Sequence, residues 1–217
     1  MPKPPSLLRR SLGVIALIAA MALAVSLATQ ISDQLRNDDF VPEEYFSYFT
    51  IQTSVANLAA LIAVGVFNLR SAIESVTLLA IRHSLMAYAV VTGSVYNLLL
   101  RGPADLQDVL AEITSPNEIF HVVIPIYLVA DWVFSPHGAR LPLRVIGLGL
   151  IYPMTWVVFT VLRGQLTGWY PYEFLDPGEP DGWVGVWAHV AGIALLIAAL
   201  LALGLWINRL YCRIRGI

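Results

Sequence analysis

The chain has 217 residues, 58% of them hydrophobic and 13% charged, with a mean hydropathy of +0.71. That is about half the charge of a soluble domain, and the composition is that of a membrane protein. Thirteen Lys and Arg against fifteen Asp and Glu give a net charge of −2, which leaves no basic surface for nucleic acid, and the single cysteine excludes an intrachain disulfide.

Apolar runs of membrane length, about 20 residues each, predict helices at roughly Ser11–Gln30, Tyr45–Asn68, Val76–Leu100, Glu118–Phe134, Leu143–Leu162 and Gly185–Asn208. The expected fold is all-α: a polytopic membrane protein, one domain over residues 1–217, with six transmembrane helices in one bundle. Lys3, Arg9 and Arg10 precede the first run, which reaches Ser26-Leu27-Ala28 much as a signal peptide reaches its cleavage site. Its length favours a retained helix. Acidic NDDFVPEE follows, with Pro42 beginning the second helix. His83, beside Arg82, is expected at the inner membrane boundary. The segment RGPADLQDVLAEITSPNE has room for one short amphipathic turn, with Ser115 or Asn117 capping the fourth helix. Asp131, near that helix's inner end, calls for a structural ion pair with Arg82 or Arg144. Between Gly164 and Trp183, WYPYEFLDPGEPDGW reads first as an aromatic belt with turn residues, and second as substrate contact. Arg209, Cys212, Arg213 and Arg215 close the chain as a stop signal facing anionic lipid.

Charge sets the expected orientation, because cytoplasmic loops collect Lys and Arg. A cytoplasmic N-terminus places Lys3, Arg9, Arg10, Arg70, Arg82, Arg140, Arg144, Arg209, Arg213 and Arg215 inside and leaves only Arg36, Arg101 and Arg163 outside. Acids such as Asp38, Asp39, Glu43, Glu44 and Asp105 gather on that outer side. Both termini are therefore expected in the cytoplasm.

This topology brings polar groups to one depth. Thr50 lies about 8 Å below the outer boundary at 1.5 Å rise per residue, and His121, His189, Tyr96 and Asn97 reach similar levels on three other helices. Ser47, Thr50, Ser54 and Asn57 recur at helical spacing on one face, as do Ser84, Tyr88, Thr92 and Tyr96. For a single hydroxyl the bland explanation is helix-to-helix glue or a bond back to its own backbone. His121 is harder to explain that way, since an ionisable side chain in hydrocarbon is costly and marks a functional site by default. Asn117 or Glu118 can bond one ring nitrogen and leave the other free. Pro125 removes the donor that would bond the His121 carbonyl.

A hydroxyl and an imidazole on facing helices permit nucleophilic attack on an ester carbonyl, with Thr50 as nucleophile and His121 as base. Asn97 and Tyr96 are candidate oxyanion donors, with Asn57 and His189 as further substrate-contact candidates. No cofactor is required, and the expected partners are membrane lipids and a lipid-like ester.

From about Tyr45 to Asp176 the chain resembles the androgen-inducible integral membrane proteins, which are intramembrane threonine hydrolases, and more closely their bacterial six-helix relatives. The resemblance rests on YFSYFTIQTS, VTGSVYNLLLRG, FHVVIPIYLVADW and GQLTGWYPYEFLDP. It implies cleavage of fatty acid esters of hydroxy fatty acids, with Thr50 and His121 in the positions of the catalytic pair. The pattern departs at Thr53 and Ser54, where those relatives carry an Asn. Two other functions remain open at this point: a haem- or metal-binding protein using His121 and His189, and a structural or assembly protein whose polar layer specifies helix packing.

Overall fold

The computed structural model describes residues 5–70, 75–102 and 106–216, and every regular element among them is helical. Six helices are long and apolar enough to cross a membrane: α1 (Leu7–Arg36), α2 (Phe49–Arg70), α3 (Val76–Leu100), α4 (Pro116–Phe134), α5 (Arg144–Thr167) and α6 (Gly182–Arg215). Lys3 and Asp105, which entered the charge asymmetry, lie outside the described residues. A six-residue helix, Leu106–Ala111, occupies the connection between α3 and α4.

Local chemistry fixes the helix ends. Ser6, Ser75 and Ser115 each accept a hydrogen bond from a backbone N–H three residues on, satisfying a donor that the first turn leaves orphaned. Ser115 is thus the cap of α4, and Asn117 lies inside its first turn. At the other ends, α5 stops at Gly168 and α6 at Gly216, both at positive φ.

Packing is organised around α3, which touches α2, α4, α5 and α6. The α1–α2 contact is the most extensive, and its cause is small residues: a Cβ on Gly13 would stand 2.9 Å from the Gly65 carbonyl oxygen, so the two backbones nearly touch. Close approach of this kind gives van der Waals cohesion where lipid removes the hydrophobic drive between helices.

Two prolines shape the interior. Pro153 lacks the N–H that would bond the Gly149 carbonyl, and Tyr88 from α3 donates its hydroxyl there instead, at 2.5 Å. Pro125 likewise frees the His121 carbonyl, which receives the Asn97 side-chain amide at 3.3 Å. Gly93 makes this possible, since a Cβ there would sit 2.6 Å from that oxygen. Facing segments of the same two helices are wound as π turns, Tyr96–Leu100 and Ile119–Val123. Such turns are rare and concentrate at functional sites.

The end of the fold that carries the chain termini is closed by polar locks. Arg82 pairs with Asp131, whose other oxygen accepts from Ser135 at 2.6 Å. His83 is fully buried, not interfacial as expected from sequence: α6 crosses it at Gly204, where no Cβ intervenes, and its Nε2 reaches the Leu201 carbonyl at 2.9 Å. The charge of neighbouring Arg82 suggests a boundary position, but the α6 crossing covers the ring. Asn208 accepts from the Leu141 N–H at 2.8 Å and donates to Ala139 and to His137, tying α6 to the connection between α4 and α5.

Candidate active site

Thr50 stands in the first turn of α2, next to Phe49, whose ring packs on Trp156, Tyr152 and Tyr88. Its Oγ1 faces His121 Nε2 at 3.4 Å. The other ring nitrogen, Nδ1, lies 2.9 Å from the Asn117 carbonyl oxygen. A carbonyl can only accept, so Nδ1 carries the hydrogen and Nε2 presents its lone pair to the threonine hydroxyl. This is the tautomer a general base needs. The 3.4 Å separation is longer than the roughly 2.6–3.2 Å of a productive contact, as is common in sites without substrate.

Each remaining candidate has a definite place. Asn117 acts through its backbone. Glu118, 2% exposed, turns its carboxylate to Arg101 at 2.5 Å. Tyr96 stacks face to face on the His121 ring, with centroids 4.0 Å apart, and the Arg101 guanidinium also lies over the Tyr96 ring, 4.9 Å from its centroid. The imidazole is therefore held by the Asn117 carbonyl and the Tyr96 ring, and Glu118 fixes the Arg101 that lies over that ring. Asn97 donates to the Gly93 carbonyl at 2.8 Å as well as to His121, which leaves no amide hydrogen for an oxyanion. Asn57 lies two turns further along α2, 3% exposed, and lines a small cavity with Arg82 and Asp131, away from Thr50. His189 donates from Nδ1 to the Gly185 carbonyl of its own helix at 2.9 Å and lies against Phe174; it lines a groove between α3 and α6 that His121 does not reach. Among the described residues no group of three His, Cys, Asp or Glu side chains gathers as metal ligands would.

One contributor escaped the sequence reading. The connection from α5 to α6 folds inward: Tyr170 covers Gly164, where a Cβ would stand 2.0 Å from its ring, Pro171 is buried, and Leu175 is 1% exposed. The segment is thus more than the aromatic belt that its composition first suggested. Stacked on Phe174, Tyr172 brings its hydroxyl to 3.5 Å from both Thr50 Oγ1 and Thr50 N. Burial pushes the Tyr172 phenol up from its ordinary range, so it stays a neutral O–H donor at physiological pH. The signal available in the sequence was WYPY, whose Trp169 and Tyr172 rings both pack on Tyr48 beside Thr50.

Thr50, His121, Tyr96, Leu100 and Tyr172 form a neck between two spaces. On one side is a narrow apolar cavity reaching down to Pro153 and Ile197. On the other is a wider vestibule of about 490 Å³, lined by Gln30, Gln34, Asn117 and Glu173. An open groove between α3 and α4, about 800 Å³, also reaches His121. The arrangement can bring a hydroxyl, a base and a neutral donor to one carbonyl placed in the neck.

Set against known proteins, the chain matches no family model, no curated sequence and no solved structure.

Proposed function

We propose that this protein is an intramembrane hydrolase of lipid esters, of the fatty acyl type, with Thr50 as nucleophile and His121 as base. The observation that carries the proposal is the tautomer: Nδ1–H is committed to the Asn117 carbonyl, so Nε2 can only accept, and what faces it is the Thr50 hydroxyl. In the reaction Nε2 takes the Thr50 proton as Oγ1 bonds to the ester carbon. The tetrahedral oxyanion accepts the Tyr172 hydroxyl. Collapse breaks the ester C–O bond, and the imidazolium returns its proton to the departing alcohol. A water molecule, activated by the same nitrogen, then releases the acid and restores Thr50.

The same reading includes the androgen-inducible family resemblance and a bacterial cytoplasmic membrane. The excess of Lys and Arg at the end carrying the termini supports a cytoplasmic location for both, with the Thr50 end towards the opposite side. Purified protein is expected to turn over a panel of lipid esters and to lose that activity in Thr50→Ala and in His121→Ala. Full activity in either variant rejects the proposal. Lowered thermal stability in both, with no ester turned over by the parent protein, favours a packing role for this polar layer.

A further inference from the structure

We infer that the apolar cavity below Thr50 is an acyl-length gauge, and that the enzyme acts on esters of a medium-length acyl group with a polar or amphipathic alcohol. This rests on the hydrolase reading and adds the substrate's two halves to it.

The two spaces that meet at the neck differ in chemistry. Beneath it, Val91, Val95, Val157, Val190, Ile193 and Ala194 offer nothing to hydrogen-bond, and the space is too narrow for a bulky group. Above it, Gln30, Gln34, Asn117 and Glu173 offer amides and a carboxylate. An ester carbonyl at Thr50 must send its acyl tail one way and its alcohol the other. Burying the polar alcohol in the cavity would strand its hydroxyls without partners, which costs far more than any gain from contact. The tail therefore goes down and the alcohol up.

The depth of the cavity sets the tail. Along α6 its wall runs from Val190 to Ile197, and along α3 from Leu100 to Val91. At 1.5 Å per residue these walls are roughly 10–13 Å long, about the length of an extended octanoyl chain. Ile197, 1% exposed, and Pro153 form the floor. A longer tail does not fit without displacing them.

The test compares 4-methylumbelliferyl butyrate, octanoate and palmitate in detergent, by kcat/KM. The octanoate is expected to lead the palmitate by about tenfold or more, the scale on which an apolar pocket discriminates tails that fit from tails that do not. Ala194→Phe, which fills the middle of the cavity, should move the preference to butyrate. Ile197→Ala, which lowers the floor, should raise palmitate turnover relative to octanoate; Met154→Ala opens the cavity in the same way from α5 if Ile197→Ala fails to fold. Equal turnover of octanoate and palmitate, unmoved by these changes but abolished by Thr50→Ala, overturns the gauge while leaving the hydrolase standing, and means the tail lies in the open α3–α4 groove. No hydrolysis of any of the three esters by folded protein removes both.

Discussion

His121 and His137 are both histidines held among helices by a backbone carbonyl, yet one keeps a ring nitrogen facing a hydroxyl and the other has both nitrogens bonded within the packing. His137 gives Nε2–H to the Trp132 carbonyl at 2.9 Å and accepts the Asn208 amide on Nδ1 at 3.1 Å, so neither nitrogen is left for chemistry. In His121 the roles of the nitrogens are exchanged. Nδ1 is spent on a carbonyl, and Nε2 looks across 3.4 Å at a hydroxyl that opens onto two spaces. The difference teaches that depth and polarity alone do not mark a site. A buried polar group becomes a candidate for catalysis when one bonding position is deliberately left loose and reachable.

That contrast can be broken by exchange of effects. The largest is expected at the loose end: His121→Ala should lower kcat by a factor on the order of 10³ or more, with the melting temperature little changed. Next, Tyr172→Phe removes the hydroxyl proposed to bind the oxyanion and should lower kcat by roughly 10²–10³ at nearly constant KM; an unchanged kcat would assign the oxyanion to another donor. At the locked end the reading reverses. Asp131→Ala leaves the Arg82 cation buried without its carboxylate and should cost about 3–5 kcal/mol of stability, measured by thermal unfolding in detergent, while the surviving folded fraction keeps its kcat. The smallest effect is on pH. Burial holds the His137 imidazole below its ordinary pKa of 6.5, so the unfolded chain binds this proton more readily than the folded one. Stability should therefore be full above pH 6.5 and fall progressively below it, with a shallower fall in His137→Asn. Matching slopes for the two proteins would show that His137 carries none of this dependence.

Much of the fold was legible because a membrane span is a composition before it is a structure. Each of the six apolar runs lies largely within one of the long helices, and only the ends moved: α1 extends to Arg36 and α6 to Arg215, since a helix continues through polar residues that hydropathy does not count. Depth along the helices was enough to group Thr50 with His121, and Pro125 was enough to foresee a freed carbonyl at His121. The partner of that carbonyl is Asn97, an oxyanion candidate by depth alone, because sequence gives the level of a side chain and not the direction of its hydrogens. The Tyr172 contact joins positions 122 residues apart through an irregular loop, where no periodicity exists to read. His83 shows the complementary failure, a residue placed at a boundary by its neighbours' charge and buried by a helix crossing at Gly204.

The most direct measurement is covalent labelling of the folded protein with a fluorophosphonate, followed by peptide mapping of the adduct. A nucleophile activated by His121 predicts a single phosphonylated residue, Thr50, and loss of the label in His121→Ala. A label on Ser47, Ser54 or any other residue, or a label on Thr50 that persists without the imidazole, would contradict the account.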